Sequence, residues 1–349
     1  MNQKKQRVLL GMSGGVDSSV AGALLLEAGH EVVGVTMRLW GGDSDTGCCS
    51  VSDVDDARRV AQQLDVDHAV FNFGDDFDAR VVHPYVDAHA EGRTPNPCIE
   101  CNRHLKFARL SERAEILGFE AVATGHHARV AAGSAGRWEL RRGADPAKDQ
   151  SYVLHMLGQR DLSRTLFPVG EMSKAEVRER AASLGLRTAV KPDSQDVCFI
   201  TSTGGRRSFL GARIPLHPGV VRDRSGGHLG TVEAVEMVTL GQRRGLPLAG
   251  AAHRRYVIDV DVPGRTVTVG DDADLLRPDV DLVDLAWTDG PVVGEVLAQT
   301  SAHAAARPAR LDPDGRLSWR EPQRRVAPGQ SVALYDLTDT VVLGGGLAA

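Results

Sequence analysis

Short apolar runs alternate with amphipathic stretches through the first 130 residues. Val8-Leu9-Leu10 has the pattern of a buried strand, and Val20-Ala21-Gly22-Ala23-Leu24-Leu25-Leu26 follows at helical spacing. Val32-Val33-Gly34-Val35 reads as the next strand, after Gly29, a residue suited to ending a helix. Ser52, with Asp55 three residues on, predicts the start of an amphipathic helix through Ala57, Val60, Ala61 and Leu64. Val70-Phe71-Asn72-Phe73 reads as another strand. The pattern then predicts a helix over 102–117, ended by Gly118, and a strand at Ala121-Val122-Ala123. Strand and helix in alternation predict an α/β fold with a doubly wound parallel sheet. Ligands of such sheets bind at the carboxyl ends of the strands.

Residues 145–200 carry further helical segments. One over 173–184 has Ser173 and Glu176 as a capping box and Gly185 as its stop. The pattern changes near residue 204. Alternating runs such as Tyr256-Val257-Ile258-Asp259-Val260 and Thr266-Val267-Thr268-Val269 are separated by Pro263-Gly264, Gly270-Asp271 and Pro328-Gly329. Three units are expected: residues 1–204 as the α/β domain with a helical extension, 205–275 as a small β module, and 276–349 as a β-barrel.

Composition adds limits. Of 349 residues, 42% are hydrophobic and 25% charged, ordinary for a globular chain of two or three domains. No apolar run is long enough to span a bilayer, and the basic start MNQKKQR leads only into a short strand, so a cytoplasmic protein without membrane partners is expected. The odd count of five cysteines argues against a disulfide framework and for reactive thiols or metal ligands. A net charge of −5 speaks against indiscriminate nucleic-acid binding. Five arginine pairs nevertheless follow residue 140, among them Arg206-Arg207 and Arg324-Arg325. They are either solvated surface pairs or phosphate contacts along one face.

The stretch Gly11-Met12-Ser13-Gly14-Gly15-Val16-Asp17-Ser18-Ser19 joins the first strand to the first helix. Glycines there permit φ > 0 and leave room for a ligand, and a helix N-terminus attracts anions. A phosphate site is expected; the plainer reading is a Gly/Ser helix entry without ligand. The stretch lacks the lysine of a GxxxxGK[ST] loop and the spacing of GxGxxG. Two strings then surround thiols. In Thr94-Pro95-Asn96-Pro97-Cys98-Ile99-Glu100-Cys101-Asn102, the prolines fix an extended approach, and a helix starting after them puts Cys101 near a helix N-terminus. The other is Lys191-Pro192-Asp193-Ser194-Gln195-Asp196-Val197-Cys198-Phe199. Buried, inert cysteines are the alternative to reactive ones. Cys48-Cys49 reads as packing or incidental.

SGGVDSS resembles the pyrophosphate loop of the ATP pyrophosphatases. With GRTPNPC, LKF, ATGHHARV, DPAKDQSYVL, FPVGEMSKAEVR, KPDSQDVCF, LGQRRGL and APGQ, the chain is similar to the tRNA-specific 2-thiouridylases. The resemblance implies ATP-dependent 2-thiolation of the wobble uridine, U34, of tRNA: adenylation of O2, loss of pyrophosphate, and sulfur transfer from a cysteine persulfide. It implies Cys101 as nucleophile and Cys198 as persulfide carrier, joined in a transient disulfide. ATP would meet residues Gly11 to Ser18, Met37 and Gly125, with Asp17 holding Mg²⁺ or orienting the loop. His126, Lys148, Asp149, Gln150 and Gln330 would touch tRNA, and a cysteine desulfurase or relay protein would donate sulfur.

Many relatives carry aspartate where Cys98 stands. Cys98, Cys101 and Cys198 therefore also read as ligands of a [4Fe-4S] cluster with one open iron. A structural zinc lacks a fourth ligand unless Cys48 or Cys49 joins, and adjacent His126-His127 point apart, so no other metal is expected. A non-catalytic ATP-binding module is the rival from a different class.

Overall fold

The computed structural model describes residues 5–39, 51–133, 136–193, 197–201, 205–246 and 254–349, with backbone alone at Cys198 and Thr201. Strand β1 (Arg7–Gly11) lies at the centre of a parallel sheet, with β2 (Glu31–Arg38) and β3 (His68–Asn72) on one side and β4 (Ala121–Ala123) on the other. A hairpin, β5 (Ala128–Ala132) and β6 (Trp138–Arg142), leaves this sheet, and β7 (Thr165–Leu166) completes it beside β4.

The two faces follow from the alternation of side chains along β1. Val8 and Leu10 pack with Val20 of α1 (Val16–Glu27) and with Ala57 and Val60 of α2 (Val51–Gln63). Leu9 faces the opposite core of Leu110, Ala114 and Phe119. β1 is thus covered on both sides, which is why Val8-Leu9-Leu10 is an unbroken apolar run. Ser52 lies inside α2, whose described range opens at Val51, rather than ahead of it.

A second sheet, ordered β10-β11-β8-β9, comprises β8 (Gly219–Asp223), β9 (His228–Val232), β10 (Tyr256–Asp261) and β11 (Thr266–Gly270). Its core is valine-rich: Val221, Val257, Val267 and Val269 are all buried. The last six strands are β12 (Leu276–Trp287), β13 (Gly294–Gln299), β14 (Arg307–Leu311), β15 (Arg316–Arg324), β16 (Ser331–Tyr335) and β17 (Val341–Ala348). Pairing of β12 with β17 closes them into a barrel.

The hairpin reaches this barrel. Strand β6 pairs with β17, Leu140 opposite Val342 and Arg141 opposite Val341. Tyr152 and Phe167 share one core with Ala333, Tyr335 and Val342. The Tyr152 hydroxyl donates to the Ser331 carbonyl at 2.8 Å, and the Arg142 guanidinium lies 3.8 Å from the Tyr335 ring centroid. Among the described residues no helix is long and apolar enough to cross a membrane.

Candidate active site

The loop after β1 opens at the carboxyl edge of the sheet. Met12 is held by a backbone bond to the Val35 carbonyl, and its own carbonyl accepts from the Thr36 hydroxyl at 2.8 Å. Of the two loop glycines only Gly14 has positive φ, +72°, whereas Gly15 is extended at −94°. A Cβ on Gly14 would lie 2.3 Å from the Asp53 carbonyl oxygen. The missing side chain at Gly14 therefore makes room for α2. Gly15 caps α1 without a side-chain bond, so the first-turn N–H groups are left for an anion. Gly125, after β4, packs on the same turn: its Cβ would come 2.5 Å from the Ser18 amide nitrogen.

Asp17 does not face the loop unaccompanied. Lys174 Nζ donates to both its oxygens, at 2.7 and 2.8 Å, and His127 Nε2 donates at 3.1 Å. Burial pushes the Asp17 carboxyl up, but the hydrogen bonds and charges of His127 and Lys174 outweigh it and hold it below its ordinary value. Lys174 opens the helix Lys174–Ser183, whose Ser173–Glu176 capping box fixes where that ammonium starts.

The string before Cys198 is tied to this loop at two points. Lys191 Nζ donates to the Gly14 carbonyl at 3.0 Å, to Asp53 at 2.7 Å and to Asp56 at 2.8 Å. Asp193 accepts from Lys148 at 2.8 Å, Lys174 at 2.9 Å and Arg178 at 2.6 Å. Burial opposes ionisation of Asp193, yet those lysines hold its carboxyl far below the ordinary value. Most of these partners are remote in sequence, and the strings containing them give no hint of the pairing.

The first thiol string forms a helix earlier than its prolines suggest. Asn96 caps it, its side chain accepting from the Cys98 amide at 3.0 Å, and Pro97 is the first helical residue. Cys98 thus occupies the first turn, and Cys101, expected there, lies one turn further in. The middle of the helix, Asn102–Arg109, is wound wider than an α-helix. At three residues apart, Cys98 and Cys101 share a face. Both line a cavity of about 560 Å³ together with Gly11, Met12, Ser13, Gly15, Val16, Asp17, Ser18, Met37 and Gly125. Val197 and Phe199, the neighbours of Cys198, line it too. The Cys198 side chain, Cys48 and Cys49 lie outside the described residues.

Of the residues expected to touch RNA, four line this cavity and one does not. His126 is buried between Phe107 and Phe167, with Nδ1 2.7 Å from the Thr124 hydroxyl. Burial, with the charge of Lys106, pushes it well below the ordinary imidazole value, so it is neutral at pH 7. The Lys148 ammonium is engaged by Asp193. Asp149 accepts from Arg142, the Gly143 amide and Ser151, which makes it a brace for the hairpin. Gln150 accepts from the His127 amide at 2.9 Å. Gln330 lies instead at a second cavity, where its amide donates to the Thr94 carbonyl. Sequence reasoning assigned no role to Lys174, Lys191, Asp193 or His303, the last a barrel residue at the first cavity.

Residues 6–202 match a family model described as tRNA methyl transferase HUP domain; 207–271 match its PRC-barrel domain, and 287–348 an aminomethyltransferase beta-barrel domain. A tRNA-specific 2-thiouridylase of Chloroflexus aurantiacus is 46% identical over 355 residues, covering 98% of each chain. One of Mycobacteroides abscessus is 45% identical, over 97% of this chain and 98% of the other. A 4-thiouridine synthetase–RNA complex with bound ATP is similar at a TM-score of 0.37 and 22% identity, over 58% of this chain and 47% of that one. With 46% and 45% identity to these two relatives over 98% and 97% of its length, the chain belongs to the tRNA-specific 2-thiouridylase family.

Proposed function

We propose that the protein converts the wobble uridine of tRNA to 2-thiouridine with ATP, in the cytoplasm. The observation that carries this reading is a shared cavity: the phosphate loop, Cys98, Cys101 and both neighbours of Cys198 line it. Uridine O2 is a poor leaving group; attack of O2 on the α-phosphorus releases pyrophosphate and turns that oxygen into part of AMP. The outer sulfur of a Cys198 persulfide attacks C2, and AMP departs. The Cys101 thiolate then attacks the Cys198 sulfur, which leaves sulfur on C2 and a Cys101–Cys198 disulfide. A dithiol reductant reopens that bond, and a cysteine desulfurase or relay protein reloads Cys198.

The α1 N-terminus and Gly15 suit a triphosphate. Asp17 already receives Lys174 and His127, so its part is to hold the loop, and Mg²⁺ enters on the phosphates of ATP. His126 is neutral and in hydrogen-bond contact with Thr124, fit for a nucleobase rather than a phosphate. Mass spectrometry of tRNA after reaction tests the scheme. Cys101→Ser and Cys198→Ser should each abolish thiolation while pyrophosphate release continues. Thiolation that survives both replacements would falsify it.

The Cys98–Cys101 pair on one helix face favours a second reading, in which these two and Cys198 hold a [4Fe-4S] cluster that carries the sulfur. Among the described residues no three His, Cys, Asp or Glu side chains are grouped for a metal. Bound iron and sulfide in anaerobically purified protein, with thiolation lost on chelation, would support the cluster. A persulfide on Cys198 in iron-free active protein would eliminate it.

A further inference from the structure

A second cavity, of about 550 Å³, lies where the helical part of the first domain meets the middle module and the barrel. Tyr85, His89, Thr94, Arg206, Arg325 and Gln330 line it. Pro97 and Val197 line both cavities, so a single wall of chain separates this space from the thiols.

His89 makes the space more than a gap between modules. It is 2% exposed, and its Nδ1 lies 2.9 Å from the Tyr85 carbonyl oxygen. A carbonyl oxygen only accepts, so Nδ1 carries the proton and Nε2 is a bare acceptor. That Nε2 is buried and has no hydrogen-bond partner among the described residues. Burial pushes the imidazole below its ordinary value; the Tyr85 carbonyl opposes this and the Arg206 charge adds to it. The ring is therefore neutral, and a buried neutral acceptor calls for a donor from a ligand. The Tyr85 and His89 rings, 4.3 Å apart at their centroids, border the same cavity at its edge, with Tyr85 5% exposed.

Two arginines supply charge. Arg206 donates one bond to the Met237 carbonyl, and Arg325 one to the Ile258 carbonyl with a longer one to Asp259. Each guanidinium has five N–H groups, so both retain donors for a phosphate. A lone acceptor at the cavity edge, nearby guanidiniums and room for one base and ribose describe a site for a single unstacked nucleotide.

We propose that the second cavity receives the nucleotide next to the reacting uridine, its base N–H or ribose hydroxyl donating to His89 Nε2 and its phosphate meeting Arg206 and Arg325. This rests on the tRNA-thiolation reading. It makes the protein read two adjacent residues of the RNA, one for chemistry and one for grip, across the wall formed by Pro97 and Val197.

The test is steady-state thiolation by the full chain on intact tRNA and on tRNAs altered at one flank of the uridine, either abasic or 2′-deoxy. Alteration at one flank should raise KM about tenfold with kcat nearly unchanged, the loss of one hydrogen bond to a buried acceptor. The abasic and deoxy substrates separate a base donor from a ribose donor. His89→Leu should raise KM equally on intact tRNA and cause no further rise on the altered one, while His89→Gln restores part of the effect. Should His89→Leu not fold, Arg206→Met replaces it, paired with a methylphosphonate at the flanking linkage. Penalties that multiply at both flanks, or no penalty at either, overturn the proposal. Wild-type protein that thiolates no tRNA overturns the underlying reading instead.

Discussion

Lys191 and Gly14, 177 residues apart, meet directly: the ammonium donates to the glycine carbonyl at 3.0 Å. The same ammonium pairs with both Asp53 and Asp56 at the start of α2. The segment that leads to Cys198 is thereby fastened to the loop that would hold ATP. Lys191→Met should lower the rate of tRNA-dependent pyrophosphate release by about 10- to 100-fold, the scale of a small displacement of a reacting group. It should also lower the melting temperature, because Asp53 and Asp56 lose the ammonium they share, although Arg187 stays 3.4 Å from Asp56. Unchanged pyrophosphate kinetics would show that the fastening is incidental.

Asp193 stands where a phosphate could stand, with Lys148, Lys174 and Arg178 around it. Asp193→Asn removes the internal anion and leaves those cations for the nucleotide. ATP should bind about three- to tenfold tighter, the scale of one screened charge pair, and AMP much less so. Equilibrium titration with both nucleotides reads the difference; equal tightening would indicate a change in adenine contacts instead.

Gly125 has no room for a methyl group against the Ser18 amide. Gly125→Ala should force α1 and the turn after β4 apart, costing about 1–3 kcal/mol of stability. Adenylation should be lost with it. Urea unfolding and pyrophosphate release measured on the same preparation check both.

His155 is fully buried under the barrel, and burial, partly offset by the Tyr152 carbonyl, lowers it from 6.5 to about 4. The unfolded chain therefore takes up this proton first. Stability should fall as pH drops below 6.5 and stop falling from this cause near 4. His155→Gln should make the slope of unfolding free energy between those values shallower by about 1.4 kcal/mol per pH unit, one proton's worth. An unaltered slope in urea melts would contradict the assignment.

Local chemistry was legible in the sequence. The apolar run before Gly11, the Ser173–Glu176 box and the alternation after residue 204 depend on neighbours a few residues away, and each appears in the structure. What depended on distant chain was not. Gly14 is glycine because Asp53 lies against it, and Asp149 is an anchor for Arg142. Cys101 sits one turn deeper than expected because Asn96, not a later residue, caps the helix. Nothing beside Lys174 in the chain marks it as a site residue, and only the fold sets it against Asp17 and Asp193.

The pairing of β6 with β17 means that the barrel is not a terminal appendage on a linker. Its ladder borrows a strand encoded some two hundred residues upstream, so its architecture is discontinuous along the chain. A truncation after residue 275 would not liberate a tidy first half. It would leave Leu140 and Tyr152 without their cover and an unpaired edge on Trp138–Arg142, an invitation to self-association.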